Sequence, residues 1–147
     1  MLTNLEHLGL AVKDLEAATA LYTKLLGQEP YKREHVASEA VDTVFFQVGG
    51  SKIELLAGTS PESAITRYLD KKPEGIHHVA FEVDDIRAEM ARLRAEGFIL
   101  LNEEPKQGAD NKLVCFVHPK SANGVLVELC QSINIEPRDK GNECYQR

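Results

Sequence analysis

The chain has 147 residues, 43% of them hydrophobic and 27% charged, with a formal net charge of −6. That length supports one well-cored domain, and the acidic balance disfavours general binding to nucleic acid or to an anionic membrane. No apolar run nears the roughly 18 residues of a membrane span. The start lacks a basic stretch leading into an apolar one, and three cysteines without CxxC spacing point to a reducing, cytoplasmic setting.

Residues 5–12 alternate around His7 and read as a strand. Asp14 is the expected N-cap of a helix whose apolar stripe is Leu15, Ala18, Tyr22 and Leu25, and Gly27 stops it. Strands are expected over 30–37, where His35 reads as an exposed histidine, and over 41–48, which is rich in Val and Phe. Gly49-Gly50 then turns the chain into a strand over 51–57. Ser60-Pro61 opens a short helix with Ile65, Tyr68 and Leu69 on one side, ending before Pro73. The order then recurs: a strand over 76–83, a helix from about Asp85 to Glu96 carrying Ile86, Met90 and Leu93, a stop at Gly97, and strands near 98–102, 112–118 and 124–130. Cys115 and Cys130 lie in apolar runs as packing residues. The polar tail over 132–147 shows no periodicity and is expected to be poorly ordered.

This recurrence is a duplication. His7-Leu8-Gly9-Leu10-Ala11-Val12 returns 71 residues later as His78-Val79-Ala80-Phe81-Glu82-Val83, and Asp14-Leu15 as Asp85-Ile86. Near the end of each copy one glutamate interrupts an apolar run, as Ile53-Glu54-Leu55 and Val127-Glu128-Leu129. Strand alternation puts His7, Gly9 and Ala11 on one face and Leu8, Leu10 and Val12 on the other, so each histidine shares its face with small residues. The register with His7 selects His78 over His77. Glu54 and Glu128 lie opposite their large apolar neighbours, and a carboxylate so placed is costly to bury unless it is paired or bound to a metal. A single strand histidine or glutamate is usually an ordinary core or surface residue; the repetition of both is what singles them out. Two imidazoles and two carboxylates make a mixed nitrogen and oxygen site suited to Co²⁺, Mn²⁺, Ni²⁺, Zn²⁺ or Mg²⁺. Two fused βαβββ units sharing one sheet system is the expected α+β architecture.

The chain resembles the vicinal oxygen chelate (glyoxalase/bleomycin-resistance-like) superfamily and, within it, the methylmalonyl-CoA epimerases. The resemblance runs from about Leu5 to Gln131 and is carried by Glu6-His7-Leu8-Gly9-Leu10-Ala11-Val12, Lys52-Ile53-Glu54-Leu55-Leu56 and Glu74-Gly75-Ile76-His77-His78-Val79-Ala80. Glu104-Pro105-Lys106-Gln107-Gly108, and His118-Pro119-Lys120 leading into Gly124-Val125-Leu126-Val127-Glu128, set it apart from glyoxalases and dioxygenases of the same fold. It implies one domain over 1–131, with module one at about 4–58, a linker helix at about 60–72 and module two at about 75–131, and the mixed sheet cupped around the metal. It places the ligands at His7, Glu54, His78 and Glu128. The implied reaction interconverts (R)- and (S)-methylmalonyl-CoA by a 1,1-proton shift, with a divalent ion stabilising an enolate and Glu128 acting as a base. Relatives with a catalytic glutamate on the third strand carry it at the position of Thr43, which cannot serve as a base. Asp42 and Glu39 lie nearby, Asp42 on the opposite face by alternation. Lys106 and Lys120, inside matched motifs, are candidates for substrate anions, whereas Lys112 reads equally well as a solvated surface lysine. The resemblance also implies a homodimer. A glyoxalase, an extradiol dioxygenase and a non-catalytic binding protein are the competing readings. The fourth ligand argues against a dioxygenase, and few arginines near the site (Arg33, Arg67) argue against a glyoxalase.

Overall fold

The structure is a computed structural model, described over residues 1–133. Strand β1 (Leu2–Ala11) leads into helix α1 (Leu15–Leu26), followed by β2 (Lys32–Val36), β3 (Val41–Val48) and β4 (Ser51–Gly58). Helix α2 (Ala64–Lys71) links to the second unit of β5 (Gly75–Val83), α3 (Ile86–Ala95), β6 (Lys106–Gln107), β7 (Lys112–Val117) and β8 (Val127–Ser132). All eight strands form one sheet in the order β2-β3-β4-β1-β5-β8-β7-β6. The fold is α+β, two βαβββ units joined along an antiparallel β1–β5 seam, with parallel β1–β4 and β5–β8 pairs on either side.

The helices end where local chemistry says they should. The Asp14 carboxylate accepts the Ala17 N–H and the Asp85 carboxylate the Ala88 N–H, each satisfying an otherwise unpaired donor of a first turn. Gly27 closes α1 at φ 67°, a left-handed conformation that glycine adopts without cost. Both helices pack on the convex face. Leu15, Ala18, Tyr22 and Leu26 of α1 meet Val12, Val44, Phe46 and Leu55, while Ile86, Met90 and Leu93 of α3 meet Val83, Cys115, Val117 and Leu129. Cys115 and Cys130 are fully buried, as expected of packing residues. With the large alternate residues committed to the helices, the other set of each strand faces the concave side. On that side α2 packs Ile65, Tyr68 and Leu69 over Ala11, Val41 and Leu56.

Three expected element bounds differ from the structure, and Leu25, expected in the apolar stripe of α1, is exposed while Leu26 packs in its place. The strand expected near 98–102 is a loop joined to β7 by one bridge, Leu100 to Val117. Two backbone bonds accompany it, Leu101 N–H to the Phe116 carbonyl and His118 N–H to the Ile99 carbonyl. Beyond Leu101 side chains take over: Asn102 accepts the Phe116 N–H and Arg94 donates to the Asn102 and Glu103 carbonyls, so the pairing does not extend into a strand. The edge strand of this unit is the two-residue β6 instead. Residues 60–63 form a turn and α2 starts only at Ala64, because the Ser63 N–H bonds the Ser60 carbonyl. The last strand is shifted to Val127–Ser132, since Asn123 (φ 54°) and Gly124 (φ 85°) still belong to the turn after β7. The tail expectation lies outside the described residues, except that Ser132 completes β8 and the Ile133 N–H bonds the Asn111 carbonyl.

A cluster of charges links the two ends of the sheet. Asp110, before β7, accepts from Lys52 Nζ (2.7 Å), Lys32 Nζ (3.1 Å) and Tyr31 Oη (3.2 Å), and its own N–H donates to Glu34 (2.8 Å). These contacts tie β2 and β4 of the first unit to the β6–β7 loop of the second and hold the sheet curled. Lys52 is mostly buried between Asp110 and Glu6, so losing Asp110 removes one of its two carboxylate partners. Asp110→Asn, which keeps a residue type tolerant of the local φ of 56°, is expected to lower unfolding free energy by about 1–3 kcal/mol in urea denaturation.

Candidate metal centre

Strand register builds the site from two matching rows. Across β4, β1 and β5 run Glu54, Gly9 and His78; across β1, β5 and β8 run His7, Ala80 and Glu128. Each row is an acid and a histidine separated by a small residue, and the β1–β5 seam relates one row to the other. The small residue is a steric requirement. A Cβ placed on Gly9 would overlap the His78 ring, so the hollow beside His7 is where the second imidazole sits.

The four side chains converge. His7 Nε2 lies 3.0 Å from His78 Nε2, 2.9 Å from Glu54 Oε2 and 3.0 Å from Glu128 Oε2, and His78 Nε2 lies 3.1 Å from Glu128 Oε2. All four residues are buried. His7, Glu54 and His78 each offer one ligand atom within 4.8 Å of one another. Two imidazole nitrogens and two carboxylates facing one another present more lone pairs than protons, and a cation resolves that excess. An ion with bonds of about 2.1 Å sets neighbouring ligand atoms about 3 Å apart, the spacing seen here. The donor set therefore fits a divalent metal.

The electrostatics agree. Burial opposes charge on His7, but hydrogen bonds to Glu128 and Glu54 outweigh it and push its pKa up to about 12. Burial likewise works against an ionised Glu128, yet its bonds to His7 and His78 hold it down to about 2. His77 differs: burial and the neighbouring His78 lower it to about 4, so it is neutral at pH 7. Its Nδ1 lies 2.9 Å from His78 Nδ1, and its ring stands edge-on to Tyr68. If His78 Nε2 gives its lone pair to an ion, its Nδ1–H donates backward to His77.

The centre opens into a concave cavity of about 420 Å³. Thr43 lines it, 1% exposed, with its hydroxyl donating to the Glu34 carbonyl. Asp42 points away and pairs with the exposed His35 at 2.6 Å, as alternation requires. Lys106 and Glu39 form a 2.6 Å ion pair and also line the cavity. Lys120 is exposed in the turn Pro119–Ala122 and is not among the lining residues. Lys112 corrects the surface reading: it is 9% exposed, lines the cavity, and lies 3.9 Å from Glu6. Arg33 pairs with Glu16, and neither it nor Arg67 lines the cavity.

Glu6 is the residue that alternation misplaces. It should lie opposite His7, but the β1–β5 register shifts between Leu5 and His7, and Glu6 turns into the same cavity, 4% exposed. A readable signal existed: the polar doublet Glu6-His7 recurs at an offset of 71 as His77-His78.

Facing histidine–glutamate pairs on duplicated βαβββ units suit the chelation of one cation. The sequence pattern of the glyoxalase/bleomycin resistance protein/dioxygenase superfamily matches residues 6–116, and the chain belongs to this superfamily. Relatives narrow the comparison. An ethylmalonyl-CoA/methylmalonyl-CoA epimerase of Cereibacter sphaeroides is 44% identical over 133 residues, covering 89% of this chain and 99% of that protein. The mitochondrial methylmalonyl-CoA epimerase of Homo sapiens is 41% identical over 132 residues, 89% of this chain and 75% of that one. The structure of a Streptomyces coelicolor methylmalonyl-CoA epimerase variant bound to 2-nitronate-propionyl-CoA superposes with a TM-score of 0.87 at 34% identity, covering 91% of this chain and all of that one.

Two outcomes test the centre. Gly9→Ala displaces the His78 ring and is expected to weaken Co²⁺ binding at least tenfold in calorimetry, with the fold intact by circular dichroism. The second is a pH dependence. His7, raised above its ordinary 6.5, keeps its proton at pH 7 in metal-free protein, whereas a ligating imidazole must be neutral. Metal uptake therefore expels a proton, and Co²⁺ affinity should fall about tenfold for each pH unit lowered between pH 8 and 6.

Proposed function

We propose that this protein epimerises methylmalonyl-CoA, moving the α-proton from one face of the acyl carbon to the other. The observation that carries the reading is the convergence of Glu54, His78 and Glu128 on His7 Nε2 at about 3 Å beside a cavity, in a chain 41–44% identical to named epimerases. A thioester α-proton next to a carboxylate is weakly acidic, so the reaction needs the developing negative charge stabilised and a base within reach. These four residues would hold a divalent ion, which when bound supplies Lewis-acid polarisation of the thioester carbonyl. Co²⁺, Mn²⁺, Ni²⁺, Zn²⁺ and Mg²⁺ all suit the donor set.

Glu128 is ionised at neutral pH and accepts the proton on one side. Thr43 contributes shape and no base, and Asp42 is directed away from the cavity. Lys106 meets an anionic group of the substrate on leaving Glu39, and the exposed Lys120 remains for the distal phosphates of coenzyme A. No helix among the described residues is long and apolar enough to cross a membrane. The reduced, buried Cys115 and Cys130 support a cytoplasmic setting. The exposed Leu21 and Leu25 of α1 give an apolar strip for a homodimer, which light scattering checks.

The deciding measurement is exchange of the α-proton of methylmalonyl-CoA with deuterated solvent. Exchange should vanish on chelation and return with Co²⁺, and Glu128→Gln should slow it by about 10²–10⁴. Full activity in metal-stripped protein overturns the reading, and turnover of a hemithioacetal without exchange on methylmalonyl-CoA favours a glyoxalase.

A further inference from the structure

The two histidines of the centre have different partners behind them. His78 Nδ1 lies 2.9 Å from His77 Nδ1. His7 Nδ1 is buried and has no hydrogen-bond partner among the described residues. The carboxylate oxygen of Glu6 stands 3.8 Å from it. An orphaned imidazole N–H in a buried site is costly, and metal-bound histidines almost always donate that N–H to a carboxylate, carbonyl or water.

The duplication identifies the counterpart. The offset that relates His7 to His78 also relates Glu6 to His77. Each copy thus carries a doublet whose second member faces the metal position and whose first member stands behind it. In an undistorted strand two consecutive side chains point to opposite faces. The β-bulge between Leu5 and His7 brings both to one side. Glu6 is also held for the task, bonded to Lys52 Nζ at 2.8 Å with Lys112 Nζ 3.9 Å from its other oxygen. Lys52 in turn reaches Asp110 at 2.7 Å, so the carboxylate is fixed by the cluster that closes the sheet.

We propose that Glu6 is a positioning residue for the metal centre: when His7 turns its Nε2 to the ion, the carboxylate closes the 3.8 Å gap and accepts the Nδ1–H, which fixes the tautomer and raises the basicity of Nε2, as His77 does by a neutral bond for His78. This rests on the reading of His7 as a metal ligand.

The test is Co²⁺ binding to metal-free, full-length protein, followed by calorimetry, by visible absorption, and by the Co²⁺-shifted imidazole N–H resonances in NMR. Glu6→Leu should raise the Kd for Co²⁺ about 10- to 100-fold and shift or broaden one of the two N–H resonances; Glu6→Gln, which keeps an uncharged acceptor, should fall between. Glu82→Gln is the control. Glu82 lies 3.8 Å from Lys112 in the same ionic cluster but has no contact with His7, and its variant should bind Co²⁺ like the parent. If Glu6→Leu fails to fold because Lys52 is stranded, Glu6→Leu/Lys52→Met leaves Lys52 no charge to strand and takes its place. Parent-like Kd and N–H resonances in the Glu6 variants overturn the proposal while leaving the metal centre intact. A parent protein that binds no Co²⁺ overturns both.

Discussion

Everything chemical in this protein depends on the antiparallel seam between β1 and β5. The seam sets Gly9 opposite His78 and His7 opposite Ala80. Because each histidine faces a residue with little or no side chain, both imidazoles lean into the same hollow and their Nε2 atoms meet at 3.0 Å. The parallel neighbours β4 and β8 then bring one glutamate to each row. Neither unit could assemble this centre alone, since each contributes one nitrogen and one oxygen. A slip of one residue along the seam would turn one unit's histidine and glutamate away from the other's, onto the helix-covered face.

The seam would not suffice if the sheet were flat. The cavity needs curvature, and the charges around Asp110 help hold it by tying the first unit to the β6–β7 loop of the second. Those charges are mostly buried, and such clusters are weak sources of net stability, because desolvation consumes much of the attraction. Their value here is geometric. A lysine flanked by Glu6 and Asp110 has little freedom to move, and that rigidity passes to the strand that carries His7.

Much of this was legible in the sequence because it follows from period-two alternation and a repeat. Leu10, Val12, Leu55 and Leu129 reach the helices, as alternation requires, and Glu54 and Glu128 face the other way. Capping was equally readable at Asp14, Gly27 and Asp85. What escaped was structure set by pairing rather than pattern. The bulge at Glu6 depends on how β5 lies against β1. The burial of Lys112 depends on β7 folding over the cavity, and taken alone the residue looks like any surface lysine. Residues 98–102 have the apolar content of a strand, but their backbone pairing with β7 stops at Leu101, where the Asn102 side chain takes the Phe116 N–H.

The duplication also explains where the two units were free to diverge. The four converging residues must remain matched, because removing one leaves the others as unpaired buried groups. The residues behind them carry no such constraint. One copy places a carboxylate beside His7 inside a cluster of lysines, whereas the other places a neutral imidazole beside His78, against Tyr68. A centre that is nearly symmetric in its donors is therefore asymmetric in its surroundings, charged behind one nitrogen and neutral behind the other. A reaction that takes a proton from one face of a carbon and returns it to the other presents two unlike demands. A twofold arrangement of donors with unlike surroundings can meet both without giving up any of the four.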